Sequence, residues 1–222
     1  VIAELPWLLL WGTFVGVDLI SWPQSMVARP LVSGIVAGWI VGDVAAGAAV
    51  GVVLELFALE LLPVGAARYP DYGVATVAAT AAASGAPDVF GVGPGVLLGL
   101  ALAYLGQESI HLARRRTALD VRAAAAALDA GDPGAIRRVH FRGLGRDALR
   151  ALIVTAIGLL GALALRTMPP IGVRGGALLL LVALGAAIGV ASLGAARLAG
   201  SGVGRVWLAA GLTLGLVWVI LQ

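Results

Sequence analysis

Residues 29–71, reading RPLVSGIVAGWIVGDVAAGAAVGVVLELFALELLPVGAARYPD, form an apolar run long enough to enter a bilayer, and they carry Asp43, Glu55 and Glu60. A carboxylate at bilayer depth costs roughly 2.5–3.5 kcal/mol on insertion scales, so each one needs a partner, a water-filled cavity or a task. The run also breaks. Residues 31–41 make a helix of only about 16 Å, about half of a hydrocarbon core of about 30 Å, whereas residues 44–62 nearly span it. Between them Gly42 permits a turn and Asp43 can cap the next helix. This pattern predicts a re-entrant or broken helix. Non-helical backbone at that depth is tolerated only inside protein or beside water, and transporters place substrate at such breaks.

The glycines orient the two arms. Gly47, Gly51 and Glu55 recur every four residues and drift only about 40° per step, so they share one side of the second arm. Gly34, Gly38 and Gly42 give the first arm a similar stripe, suited to close helix contact. Glu55 is therefore expected to face a protein interface or cavity and not lipid. The structural alternative is a carboxylate hydrogen-bonded to a neighbouring helix.

The rest of the composition fits one polytopic unit. Hydrophobic residues make up 60% of the chain and thirty-two residues are glycine; mean hydropathy is +1.01. At about 20 residues per segment the chain has room for about six membrane-entering segments. With no cysteine there is no disulfide, thiolate catalysis or sulfur-ligated metal. All fifteen basic residues are arginine, and they are unevenly spread. Residues 1–106 hold two arginines against seven acids, 107–150 nine against five, and 151–222 four against none. The positive-inside bias places 107–150 in the cytoplasm, and the acids assign any acidic function to the first half. The single membrane domain 1–222 thus divides into 1–106 with the broken helices, a cytoplasmic interfacial segment 107–150, and C-terminal membrane helices 151–222.

Residues 5–20 read as a membrane segment that is retained, because no basic stretch precedes them and no small-residue cleavage site follows. Trp7, Trp11 and Trp22 suit an interfacial belt. Residues 21–29, SWPQSMVAR, are a polar connector in which Gln24 and Arg29 could reach a polyol. After the irregular 63–71, a small apolar arm at 74–83, a break SGAPD at 84–88 and a second arm at 92–105 repeat the arrangement at 31–62. A helix is expected over 117–130, stopped by Gly131-Asp132-Pro133-Gly134, and an amphipathic interfacial helix from Ala135 bearing Arg137, Arg138, Arg142 and Arg146. Apolar runs at 149–165, 176–196 and 203–221 follow. His111 and His140 lack metal-ligand spacing, and no nucleophile, phosphate-loop or dinucleotide motif stands out. What remains is binding: carboxylates with amides, hydroxyls and aromatics match a polyol, and the same acids could couple a proton or sodium ion.

The succession Arg29-Pro30, Gly34 or Gly38, Gly42-Asp43, Gly47, Gly51, Leu54-Glu55, Gly65 and Pro70-Asp71 resembles the membrane subunit IIC of the mannose/fructose/sorbose family of bacterial sugar phosphotransferase systems. The likeness continues more weakly through Gly106-Gln107 and a histidine near His140, over about residues 12–160. It implies an all-α polytopic membrane protein of the bacterial cytoplasmic (inner) membrane, working as an oligomer in the lipid bilayer. Its partners would be a IID membrane subunit and a IIAB phosphocarrier, without nucleic acid. Such a subunit binds a hexose-like sugar and moves it inward by an elevator-like shift, while a histidine on IIB supplies the phosphoryl group. No catalytic residue, cofactor or metal is then expected on this chain. Carry-over by motif puts Glu55 first among the substrate ligands, then Asp43 and Asp71, with Arg29 and Gln24 after them. Two other readings stand beside it, an ion-coupled small-solute transporter and a repurposed IIC-like structural or accessory subunit.

Overall fold

The computed structural model describes residues 2–60, 67–85, 91–169 and 171–198, with 206, 207, 209–211 and 213 beyond them. The expectations for Gly65, for 86–88 of the SGAPD break and for most of the apolar run at 203–221 lie outside the described residues. Among those residues every regular element is helical: α1 Leu5–Ile20, α2 Pro30–Val41, α3 Val44–Ala58, α4 Tyr72–Ala83, α5 Val92–Ala123, α6 Ala125–Asp129, α7 Pro133–Thr167 and α8 Val173–Leu198. Helices α5, α7 and α8 are long and apolar enough to cross a membrane, and α1 to α4 are shorter apolar helices. The chain is an all-helical, multi-pass membrane protein with broken segments.

Local chemistry sets the breaks. Pro30 occupies the first turn of α2, where its missing N–H costs nothing, and Gly42 ends the helix with φ 77°, a left-handed cap that favours glycine. Asp43 then caps α3 by accepting from the Ala46 N–H at 3.0 Å. The two arms fold back with backbone against backbone: a Cβ on Gly34 would collide with the Gly47 carbonyl, and one on Gly47 with the Gly34 carbonyl. Small residues on both faces let dispersion contacts and backbone proximity replace the hydrophobic drive that lipid cannot supply.

Helix α4 is the centre of the molecule. Its sequence YGVATVAATAAA is small and weakly polar all round, and every residue but Ala82 is buried. It packs against α1, α2, α3, α5 and α7. Asp71 caps its start and Arg166 its end, where the guanidinium donates to the Ala81 carbonyl at 3.0 Å and to the Ser84 hydroxyl oxygen at 2.8 Å. The first half of α5 returns beside it, with Gly95 against the Ala79 carbonyl and Gly99 against Leu54. Thus α2/α3 and α4/α5 are two hairpins whose turns meet: the free Asp43 oxygen accepts from the Gly85 N–H at 3.1 Å. Helix α1 lies across α7, and α8 covers α5 and α3.

The region 107–150 is helical, but its layout differs from two separate pieces. Residues 117–123 end α5, and the amphipathic stretch from Ala135 is the first half of α7, continuous with the apolar run at 149–165. The reason is punctuation. Asp132 and Pro133 start α7, with Asp132 accepting from Gly134 and Ala135 N–H at 2.8 and 3.2 Å, and no proline follows until Pro169. The second half of α5, α6 and the first half of α7 form an arginine-rich arm that extends the bundle at the end away from the hairpin turns. Arg146 joins its two sides through Asp120 at 2.5 Å.

Candidate functional site

The arm end of the bundle holds a cavity of about 420 Å³, within the roughly 300–1,000 Å³ usual for small-molecule sites. The loop between α1 and α2 forms one wall. Asp18, 2% exposed, organises this loop: one oxygen accepts from the Ser25 N–H at 2.6 Å and hydroxyl at 2.8 Å, the other from the Ala28 N–H at 3.2 Å. Those bonds hold Gln24 and Met26 in the left-handed region, at φ 59° and 66°, which side chains other than glycine seldom adopt. The loop delivers Gln24, Met26 and Arg29 to the cavity.

The other walls come from the end of α3, the segment 67–71 and α5. Phe57 and Glu60, Tyr69 and Tyr72, and Tyr104 and Gln107 face the same space. Phe57 and Tyr72 stack with ring centroids 6.4 Å apart. Glu60 also lies 3.4 Å from Arg197 of α8. The chain has three tyrosines, and all three line this cavity.

Of the acids singled out in the sequence, Glu60 is in the wall, Glu55 and Asp71 sit behind it, and Asp43 lies elsewhere. Glu55 uses one oxygen on the Arg29 guanidinium and the other on the Leu31 N–H, 3.2 Å away, in the first turn of α2. It is one layer removed from the cavity that Arg29 lines. Asp71 is fully buried; it caps α4 through the Val74 N–H at 3.2 Å and accepts from Arg150 Nη1 at 2.8 Å. Arg150 also donates to the Gly16 carbonyl at 2.7 Å and lies 3.5 Å from Asp147, which accepts from the Ser21 hydroxyl. This network ties α1, α4 and α7 beneath the cavity. Asp43 is at the opposite end, a full α2 away, or about 18 Å for twelve residues.

The structure therefore brings Gln24 and Arg29 to the cavity, puts Glu55 immediately behind Arg29, buries Asp71 below, and sets Asp43 at the hairpin turns. The acids share a physical cause. Breaking helices at bilayer depth leaves N–H groups unpaired, and Asp43, Glu55 and Asp71 each spend an oxygen on a helix N-terminus. Sequence reasoning did not place Tyr69, Tyr72, Tyr104, Gln107 or Glu60 in a site. One signal was present: of the three tyrosines in the chain, Tyr69 and Tyr72 flank Asp71 and Tyr104 stands three residues before Gln107.

Chemically the lining combines amide and guanidinium donors, a carboxylate acceptor and phenolic hydroxyls that do both, over aromatic faces. That set matches a neutral, polyhydroxylated solute, whose hydroxyls take the polar groups and whose C–H faces lie on the rings.

A family model described as the PTS system sorbose-specific IIC component matches residues 3–171. The chain is 33% identical over 134 residues to the fructose permease IIC component of Bacillus subtilis, covering 60% of this chain and 49% of that one. Over 129 residues it is 32% identical to the mannose-specific EIIC component of Escherichia coli, covering 58% and 48%. A sorbose-specific EIIC component of Lacticaseibacillus casei is 32% identical over 149 residues, covering 67% and 52%. The matched part spans about half the length of these relatives. Among solved structures, one described as a membrane protein superposes with a TM-score of 0.74 at 22% identity, covering all of this chain and 94% of the other. The complex of the mannose transporter ManYZ with microcin E492 superposes at 0.61 and 24% identity, covering all of this chain and 88% of its counterpart. These two likenesses are of fold.

Proposed function

This chain belongs to the sorbose-specific IIC family of phosphotransferase-system membrane components, and from that membership we propose that it is a sugar-translocating IIC subunit. In this reading it binds a hexose-like sugar in the cavity at the arm end and moves it inward for phosphorylation by a partner IIB. The observation that carries the reading is the cavity itself, a roughly sugar-sized space lined by Arg29, Gln24, Gln107, Glu60 and every tyrosine of the chain. Arg29 and Gln24 contact the sugar directly, and Glu55 serves the site by aiming Arg29. Asp71 and Asp43 support it from further away, as the helix caps that keep the two hairpins in register.

The family resemblance further leads us to propose a IID membrane subunit and a IIAB phosphocarrier as partners, and the inner membrane of a bacterium as the location. The arginine-rich arm then faces the cytoplasm, as the positive-inside bias requires, and the cavity shares that side. A sugar held there is placed where a soluble phosphocarrier could reach it.

Equilibrium binding of fructose, mannose and sorbose to the purified protein tests the reading. We expect one of them to bind and Arg29→Gln to weaken it. Uptake by proteoliposomes driven by a proton or sodium gradient, with no phosphocarrier present, would favour an ion-coupled transporter instead.

A further inference from the structure

Residues 67–71 form an irregular strap that closes one side of the cavity, and it meets α5 at three places, the weakest of them the solvent-exposed Arg68–Glu108 pair at 3.9 Å. At one end the Asp71 N–H donates to the Ala103 carbonyl at 2.9 Å, and Gly106 lets the helix come against the Asp71 side chain. The remaining attachment, part-buried, is a single side chain, Arg114. Its Nη1 donates to the Ala67 carbonyl at 3.0 Å and its Nη2 to the Tyr69 hydroxyl at 2.9 Å, while the guanidinium carbon lies 5.2 Å from the Tyr69 ring centroid.

Arg114 is outside the cavity lining. It stands seven residues beyond Gln107, about two helical turns into the arm, and borders a second groove between α5 and α7 beside Thr117 and Asp147. Tyr69 by contrast is buried and faces the cavity. The strap has no regular hydrogen-bond ladder of its own, so its backbone is held by whatever its neighbours supply.

We propose that Arg114 is a positioning residue for the cavity: without touching the solute, it fixes Tyr69 and the strap in the wall, so that the root of the arm sets the cavity's shape on this side. One guanidinium can do this because its planar fork meets a carbonyl and a phenol together while its face covers a ring; an ammonium offers a point charge without the fork. Releasing this attachment returns backbone freedom to residues 67–69, while Asp71 stays held by Ala103, and a solute must then order them again as it binds. The effect on sugar affinity rests on the reading of this cavity as the sugar site. The clamp on the strap does not.

Hydrogen exchange over 67–71, measured on the full chain beside equilibrium binding of fructose, mannose and sorbose, tests both parts. Arg114→Gln is expected to speed exchange at the amides of residues 67–69 and to weaken binding by about tenfold, the scale of one lost charge-assisted bond. Arg114→Lys restores part of each, and Tyr69→Phe, which keeps the ring and the Ala67 contact, loses less than Arg114→Gln. Exchange unchanged in Arg114→Gln overturns the clamp. Faster exchange with unaltered affinity overturns the positioning role, as does an equal loss in Arg115→Gln, whose exposed side chain lies off the strap. If the unaltered protein binds none of the three sugars, the sugar reading falls, and the exchange result still decides whether Arg114 holds the strap.

Discussion

Replacing Glu55 by Gln separates two roles for the acid that stands out most in the sequence. Glu55 accepts from the Arg29 guanidinium and from the Leu31 N–H, and its side chain is 19% exposed against 33% for Arg29. Glutamine preserves the volume and one acceptor oxygen, so the first turn of α2 can keep its partner. The charge-assisted bond to Arg29 becomes a neutral one. For a pair this shielded the difference is about 1–2 kcal/mol, below the full value of a buried ionic bond because water reaches Arg29. If Glu55 acts by aiming Arg29, that loss appears as a five- to thirtyfold weaker Kd for the bound sugar, roughly. The assay is a double-mutant cycle on sugar affinity with Glu55→Gln, Arg29→Gln and both together. Once Arg29 is gone, Glu55 has nothing to aim, so the double variant should bind as the Arg29→Gln variant does. Additive losses would mean that Glu55 meets the sugar independently, and the positioning argument would be refuted.

Two further outcomes test the scaffold. Arg150→Met strands fully buried Asp71 without its cation and should lower unfolding stability by about 3–5 kcal/mol, read as a fall in the thermal midpoint in detergent; an unchanged midpoint would show that the network contributes nothing. Gly47→Leu drives a side chain into the Gly34 carbonyl and should part the α2/α3 hairpin, with loss of folded protein on size-exclusion chromatography, whereas Gly185→Leu on α8, where a Cβ meets open space, should elute as the unaltered protein does.

The hairpin was legible because its instructions are local. Pro30, Gly42 and Asp43 mark where α2 starts, where it ends and what caps α3, and the Gly34/Gly38 and Gly47/Gly51 stripes name the faces that meet. The second hairpin was legible in the same way, from the short arm at 74–83 and the break after it. The continuity of α7 was harder to read. A switch from amphipathic to wholly apolar composition near Leu149 looks like a boundary between elements, yet a helix ends at backbone punctuation and not where its environment changes, and nothing between Pro133 and Thr167 supplies that punctuation.

The site was only partly legible, for a reason particular to membranes. An acid within or closing an apolar run is conspicuous, Glu55 most of all, with Asp43 and Asp71 after it. Each is also what a broken helix requires at its N-terminus, and spacing alone does not distinguish a cap from a ligand. The cavity lining is assembled from five separate stretches, at 18–30, 57–60, 69–73, 104 and 107, whose convergence follows from the packing of α4. Tyr104 and Gln107 are three apart and share a helix face, but only the strap laid along α5 turns that face into a wall.

The central claim is that the solute occupies the tyrosine-lined cavity on the same side as the arginine-rich arm. The chain has no cysteine, so Met26→Cys at the cavity, 74% exposed, and Ala45→Cys beside the hairpin turns each give a single reporter. Labelling of the two by an impermeant maleimide in inside-out vesicles and in intact cells, with and without fructose, mannose or sorbose, measures the claim directly. The account predicts that Met26→Cys reacts from the cytoplasmic side and is protected by one of the sugars, while Ala45→Cys is not. Protection at Ala45→Cys alone, or reaction of Met26→Cys only from outside, would contradict it.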